Sequence, residues 1–167
     1  MNIYLEREAR LIIVFASIEA HARETLGLLL GYRTAKEAIV KLAIPYQTSK
    51  RKFSEVEPPR KESQLVKTLP DLPTAHMDIL GGFHSHPSWG EKWYEPVPTE
   101  SDKEWIIKNK GIEVIVALKK AKKYVEPGVR QSGEVSGSVG PYYYKIAGYY
   151  EDDGEVKKAT LTTAFDY

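Results

Sequence analysis

Two histidines one residue apart, His84 and His86 in "FHSHP", are the residues of this chain best spaced to share one chemical task. If "MDILGGFHSH" (77–86) forms a strand, side chains at i and i+2 share a face and both imidazoles point the same way. Held side by side, each can give one nitrogen to a single ion, at the bond length of about 2.0 Å usual for zinc. The pair reads equally well as two polar residues at a strand end, so a third ligand has to decide. With no cysteine in the chain, disulfides, thiolate ligands and a cysteine nucleophile are all excluded, and any bound transition metal must use His, Asp, Glu and water. The acids downstream are Glu91, Glu95, Glu100 and Asp102. Asp102 lies in "PTESD", where Thr99 is a good helix N-cap and Asp102 falls at the third position of the first turn. A capping arrangement explains both residues without a metal. An aspartate leaving the first turn after a loop can also return to the strand end and complete a His2Asp set. A catalytic site of that kind keeps one position open for water and gains from a nearby carboxylate that moves the water's proton. Glu24 is the candidate because it immediately precedes a buried strand, "LGLLLGY" (26–32), although taken alone it reads as a surface acid.

The elements that must position these residues follow from periodicity. Apolar residues at three- and four-residue steps, Leu11, Val14 or Phe15, Ile18 and Ala22, predict an amphipathic helix over about 5–22. The strand at 26–32 and a second, "EAIVKLAIPY" (37–46), form a hairpin. From 47 to 75 the chain is polar and dotted with proline, with one short helix at about 61–69. After the histidines comes a loop rich in Trp, Pro and Gly, then a helix from Thr99. "IEVIVALKKA" (112–121) is the clearest strand. The Gly/Ser-rich stretch 126–140 reads as a mobile loop, and 142–163 as a hairpin turning at Asp153-Gly154. Helices and strands alternate around a buried sheet with no repeat and no linker, so the expectation is one α/β layered domain spanning 1–167.

Composition narrows the function classes. A formal net charge of +1 gives no global field toward nucleic acid or an anionic membrane, and neither is expected as a partner. The apolar run at 11–16 is too short to span a bilayer, and no signal peptide is read, so a cytoplasmic location is the default. The run "KKAKK" (119–123) reads as a solvated strand end or as a surface for an acidic partner.

With these residues in view the sequence resembles the JAMM (MPN+) metalloprotease family. The family pattern is a Glu before a "xxGLLLG"-like strand, a strand ending H-S/T-H-P, and S-x-x-D at the start of a helix. The counterparts are "ETLGLLLG" (24–31), "FHSHP" (83–87) and "PTESD" (98–102), over a core of about 5–121. The resemblance implies that His84, His86 and Asp102 bind one Zn2+ per chain and that Glu24 is the general acid/base acting through the bound water. It also implies that Thr99 takes the place of the serine that stabilises the oxyanion. The implied reaction is hydrolysis of an isopeptide or peptide bond after the C-terminal glycine of ubiquitin or a ubiquitin-like modifier. The implied fold is a single-domain α-β-α layered MPN fold with a mixed, curved sheet, similar to cytidine deaminases. Two departures stand out. Fifteen residues separate His86 from Asp102, more than is usual in the family, and threonine replaces serine. The enlarged loop, 88–97, carries Trp89, Trp93 and Tyr94, candidates for holding substrate. A cupin would need a further histidine, and none follows His86. An amidohydrolase barrel needs about 250 residues. The remaining alternative is an MPN-type binding module that recognises a ubiquitin-like or other protein without cutting it.

Overall fold

A computed structural model describes residues 1–21, 23–46, 50–51, 56–57, 76–86, 88 and 93–165. The helix expected at 61–69, Trp89 and the candidate acid Glu91 lie outside these residues. In chain order the elements are β1 (Asn2–Leu5), α1 (Arg7–Ala20), β2 (Leu26–Arg33), β3 (Glu37–Pro45), β4 (Lys50–Arg51), β5 (Val56–Glu57) and β6 (Asp78–His86). They continue with α2 (Glu100–Asn109), β7 (Ile112–Lys120), β8 (Gly128–Val129), β9 (Val135–Val139), β10 (Tyr142–Asp152), β11 (Glu155–Lys158) and β12 (Thr160–Thr163). β4 and β5 pair with each other, and every other strand joins one mixed sheet.

The spatial order of that sheet is β12-β1-β3-β2-β6-β7-β10-β9-β8, with β11 attached to β10. The β1–β12, β1–β3 and β6–β7 pairs are parallel, and the others antiparallel. The two ends of the sheet curl back toward each other until the Leu161 amide of β12 donates to the Gly133 carbonyl between β8 and β9, at 2.9 Å. The result is a nearly closed barrel, and it overturns the expected three-layer α-β-α MPN fold. The physical reason lies in strand number. The segment 126–140, expected as a loop, supplies β8 and β9, and the N-terminal residues supply β1. A twisted sheet this wide curls rather than staying an open layer.

α1 packs inside the curl against β3, β6 and β7. Its buried residues are Ala9, Arg10, Ile13, Val14, Ser17 and Ala20. Of the described residues of the expected stripe only Val14 is among them, and Phe15 is 53% exposed. "LIIVFA" offers apolar side chains on every helix face, so periodicity alone could not choose which one the barrel would enclose. Ile13 and Val14 join Ile3, Leu29, Phe83, Val114 and Ile146 in the inner core.

β7 is buried on both faces, as a parallel-paired central strand should be. Its Val114, Val116 and Leu118 point inward, whereas Ile115 points outward to meet Ile106 of α2 and Ala147 and Tyr149 of β10. This inward–outward alternation fixes where the candidate site can lie. Phe83 faces the inner core, so its neighbours His84 and Gly82 face outward, on the side covered by α2. The β2–β3 hairpin and the turn at Asp153-Gly154 are as expected, both turn residues having positive φ. No helix among the described residues is long and apolar enough to cross a membrane.

Candidate metal centre

His84 and His86 end β6, and the chain returns through α2 to the parallel neighbour β7. This crossover carries the first turn of α2 back over the carboxyl end of β6. The two imidazoles turn the same nitrogen toward one point, with His84 Nε2 3.3 Å from His86 Nε2. Asp102 Oδ2 lies 3.6 Å from His84 Nε2, and the three ligand atoms lie within 4.8 Å of one another. Tetrahedral bonds of about 2.0–2.1 Å place ligand atoms roughly 3.3–3.4 Å apart, so the two separations from His84 Nε2 fit a shared ion, and the pair of His86 and Asp102 would draw together on binding. His84, His86 and Asp102 form a group that could hold a metal ion.

Each histidine has its other nitrogen engaged. His84 Nδ1 lies 2.7 Å from the buried Glu113 Oε1, and His86 Nδ1 lies 3.1 Å from the backbone carbonyl of Glu95. With both Nδ1 atoms donating, Nε2 is left as the lone-pair donor on each ring, the tautomer a metal requires. Burial works against a charged His84, but hydrogen bonding and charge from Glu113, with Asp102 and Glu24, outweigh it and raise its pKa. His86 is pushed down by burial and by the neighbouring His84. Burial raises Glu113, against the pull of His84.

Asp102 shows that the capping and ligand readings describe one geometry. Its Oδ2 accepts from the Thr99 amide and the Thr99 hydroxyl, both at 2.7 Å, while its own amide donates to Thr99 Oγ1 at 3.3 Å. The capping box therefore locks the carboxylate in the rotamer that faces His84. A carboxylate has enough lone pairs to cap a helix and still face a metal. Thr99 itself donates its hydroxyl proton to Asp102.

Glu24 stands two residues before β2, which pairs with β6. The antiparallel register sets Leu26 opposite His84, and the Ser85 amide donates to the Thr25 carbonyl at 3.0 Å. The Thr25 amide in turn donates to Ser85 Oγ at 3.0 Å. Glu24 precedes Thr25 by one residue, and its charge is felt at His84.

A similar solved structure is the solution structure of protein DSY2949 from Desulfitobacterium hafniense. The TM-score is 0.63 at 15% identity, over 98% of this chain and 94% of that one. At this identity the likeness concerns the fold. No family model matches the sequence, and no curated protein matches it.

The other candidates among the described residues are not part of the group of three. The Glu95 carboxylate is turned away, 2.7 Å from Lys145 Nζ, so it does not compete with Asp102. Trp93 packs on the sheet against Tyr143, with ring centroids 5.2 Å apart, while Tyr94 is 50% exposed. Glu113 escaped sequence reasoning. Its signal is present in "IEVIVALKK", the one acid in a strand otherwise apolar until its lysines, because a buried carboxylate needs a partner. Gly82 stands opposite Glu113, and a Cβ there would lie 3.0 Å from Glu113 Oε2. Gly81, at φ 149°, would put a Cβ 1.9 Å from the Ile112 carbonyl oxygen. The paired glycines thus let β7 approach closely enough to bring its carboxylate to His84.

Proposed function

We propose that this chain is a zinc-dependent hydrolase of the JAMM type. In this reading it cleaves the isopeptide or peptide bond that follows the C-terminal glycine of ubiquitin or a ubiquitin-like modifier. The observation that carries the reading is the convergence of His84 Nε2, His86 Nε2 and Asp102 Oδ2, with both Nδ1 atoms already engaged. Two nitrogens and one carboxylate oxygen are the donor set of a catalytic zinc site, which keeps its fourth position open, rather than of a closed structural site. When bound, zinc supplies Lewis acidity, lowering the pKa of a water to about 7 and polarising a carbonyl oxygen.

The chain's own groups do the rest. Glu113 and the Glu95 carbonyl hold the two imidazoles in orientation, and the Thr99 cap holds Asp102. The Glu24 carboxylate takes a proton from water and hands it to the leaving amine. The hydroxyl of Thr99, which the resemblance casts as an oxyanion donor, serves in the resting arrangement to position Asp102. The modifier as substrate rests on the three sequence motifs. Their relative placement, not the layering of the sheet, is what this chemistry uses.

The test is metal content of the purified protein followed by cleavage of a C-terminal fusion to a ubiquitin-like protein. About one zinc per chain is expected, with chelator-sensitive cleavage abolished by Glu24→Gln. Metal-free protein with an intact fold, or full activity in that variant, would overturn the reading.

A further inference from the structure

Beyond the metal centre, the end of β7 and the segment after it form one wall of an open groove of about 1080 Å3. Lys119, Lys120, Lys122, Lys123 and Arg130 line it, together with Trp93. Lys120, Lys122 and Lys123 are exposed and form no ion pair among the described residues. The lining contains one acid, Glu95, and Lys145 already neutralises it. In a chain of net charge +1, this is a concentrated local excess of positive charge, and it sets the sign of the ligand.

The groove adjoins the metal centre at Glu95. The backbone carbonyl of that residue orients His86, and its carboxylate meets Lys145 on the groove wall. Register gives the same adjacency, since His86 pairs with Ala117, two residues before Lys119.

We propose that this groove binds an acidic polypeptide segment of the substrate, seating it beside the metal centre. Its role in substrate choice rests on the hydrolase reading, whereas the binding itself does not. Polypeptide carboxylates fit better than nucleic acid for two reasons. The aromatic rings of the groove are not free platforms for bases. Trp93 packs on Tyr143 and carries Lys119 Nζ 3.7 Å from its centroid, with Lys145 Nζ at 5.6 Å. The one arginine cannot offer its fork to a phosphate either. Arg130 Nε donates to Ser136 Oγ at 2.7 Å, and Nη2 donates to the Glu126 and Ser136 carbonyls at 2.8 and 3.2 Å. What remains are lysine point charges spaced along an extended rim, suited to successive carboxylates.

Fluorescence anisotropy of a labelled decaglutamate peptide against the full chain tests the proposal, with a single-stranded decathymidylate as the competing class. The variant is Lys120→Glu/Lys122→Glu/Lys123→Glu, whose exposed positions leave the core untouched; circular dichroism and thermal melting verify its fold. Peptide binding should be weakened at least about tenfold in the variant and by raising salt to about 0.5 M, because exposed charges act additively and are screened. No peptide binding at low salt, unchanged binding by the folded variant, or tighter binding of the oligonucleotide would overturn it. Repeating the titration on the Glu24→Gln protein separates the two readings. Peptide binding without cleavage in the wild type removes the catalytic reading and leaves the groove, whereas cleavage without peptide binding removes the groove.

Discussion

Glu113 tests the site most directly, because its role comes from geometry and not from sequence resemblance. Its carboxylate lies 2.7 Å from His84 Nδ1, with both side chains buried, so it alone orients that imidazole from behind. Removing such an outer partner of a metal-binding histidine typically weakens metal affinity by about 10–100-fold, or roughly 1.4–2.8 kcal/mol. Glu113→Gln keeps the volume and an acceptor oxygen but drops the charge, so about a tenfold loss is expected. Glu113→Ala removes the acceptor and opens space beside Gly82, so the loss should approach about a hundredfold. Competition against a chromophoric chelator measures both. The metal-free protein supplies the control. Removing one partner of a buried charged pair destabilises, by about 3–5 kcal/mol where the other stays charged, so the melting temperature of metal-free Glu113→Gln should fall and affinities are compared on protein verified as folded. Zinc affinities within about twofold of wild type in both variants would refute the argument that Glu113 orients a metal ligand.

Asp102 and Thr99 separate capping from ligation. Asp102→Asn retains an oxygen for the Thr99 amide, so it should lose metal while the metal-free melting temperature changes little. Thr99→Ala should cost about 1 kcal/mol of stability and also weaken zinc binding, whereas Thr99→Ser preserves both. A further prediction concerns acid stability. Burial works against ionised Glu134, but hydrogen bonds from Lys158 and Ser132 and the charge of Lys145 outweigh it and hold its pKa below 4.5. A depressed folded pKa stabilises the protein above the unfolded value, and that contribution disappears as pH falls through the folded one. Urea midpoints of the wild type should therefore fall more steeply than those of Glu134→Gln as pH drops below 4.5, and parallel curves would contradict the assignment. Finally, zinc should raise hydrogen-exchange protection of Glu100–Asn109 more than that of Ile112–Lys120, and a uniform increase would count against a metal bridging α2 to the sheet.

The site was more legible than the fold. His84 and His86 share a face by strand period, Asp102 stands at a helix start that reads as a cap or a ligand, and Glu24 is a candidate acid before an apolar run. All of these are local patterns. Glu113 is 29 positions from His84 and meets it only through the β6–β7 register. A strand buried on both faces offers no alternation from which that register could be read. Barrel closure was hidden for a different reason. Ser136, Gly137 and Ser138 look like loop residues, yet they sit in β9 as packing residues. A Cβ on Gly137 would lie 2.6 Å from Pro127 Cα, and the two serine hydroxyls accept from Arg130 Nε and the Val125 amide. Small residues were selected there by close approach, which composition cannot distinguish from mobility.

α2 explains why ligation and folding share residues. Of its ten residues only Ile106 is buried, so little apolar area anchors it to β10 and β11. A short helix with so small a buried face depends on its ends, and its N-terminus is where the capping box and Asp102 lie. The same carboxylate oxygen that accepts from the amide and hydroxyl of the N-cap Thr99 faces His84 Nε2, which burial and Glu113 hold in place on the strand. A cation at this point would join the end of β6 to the start of α2 and complete the docking that Ile106 begins. The first turn of α2 is then ordered by the ion it helps to bind, so metal affinity and helix docking are two measurements of one coupling free energy.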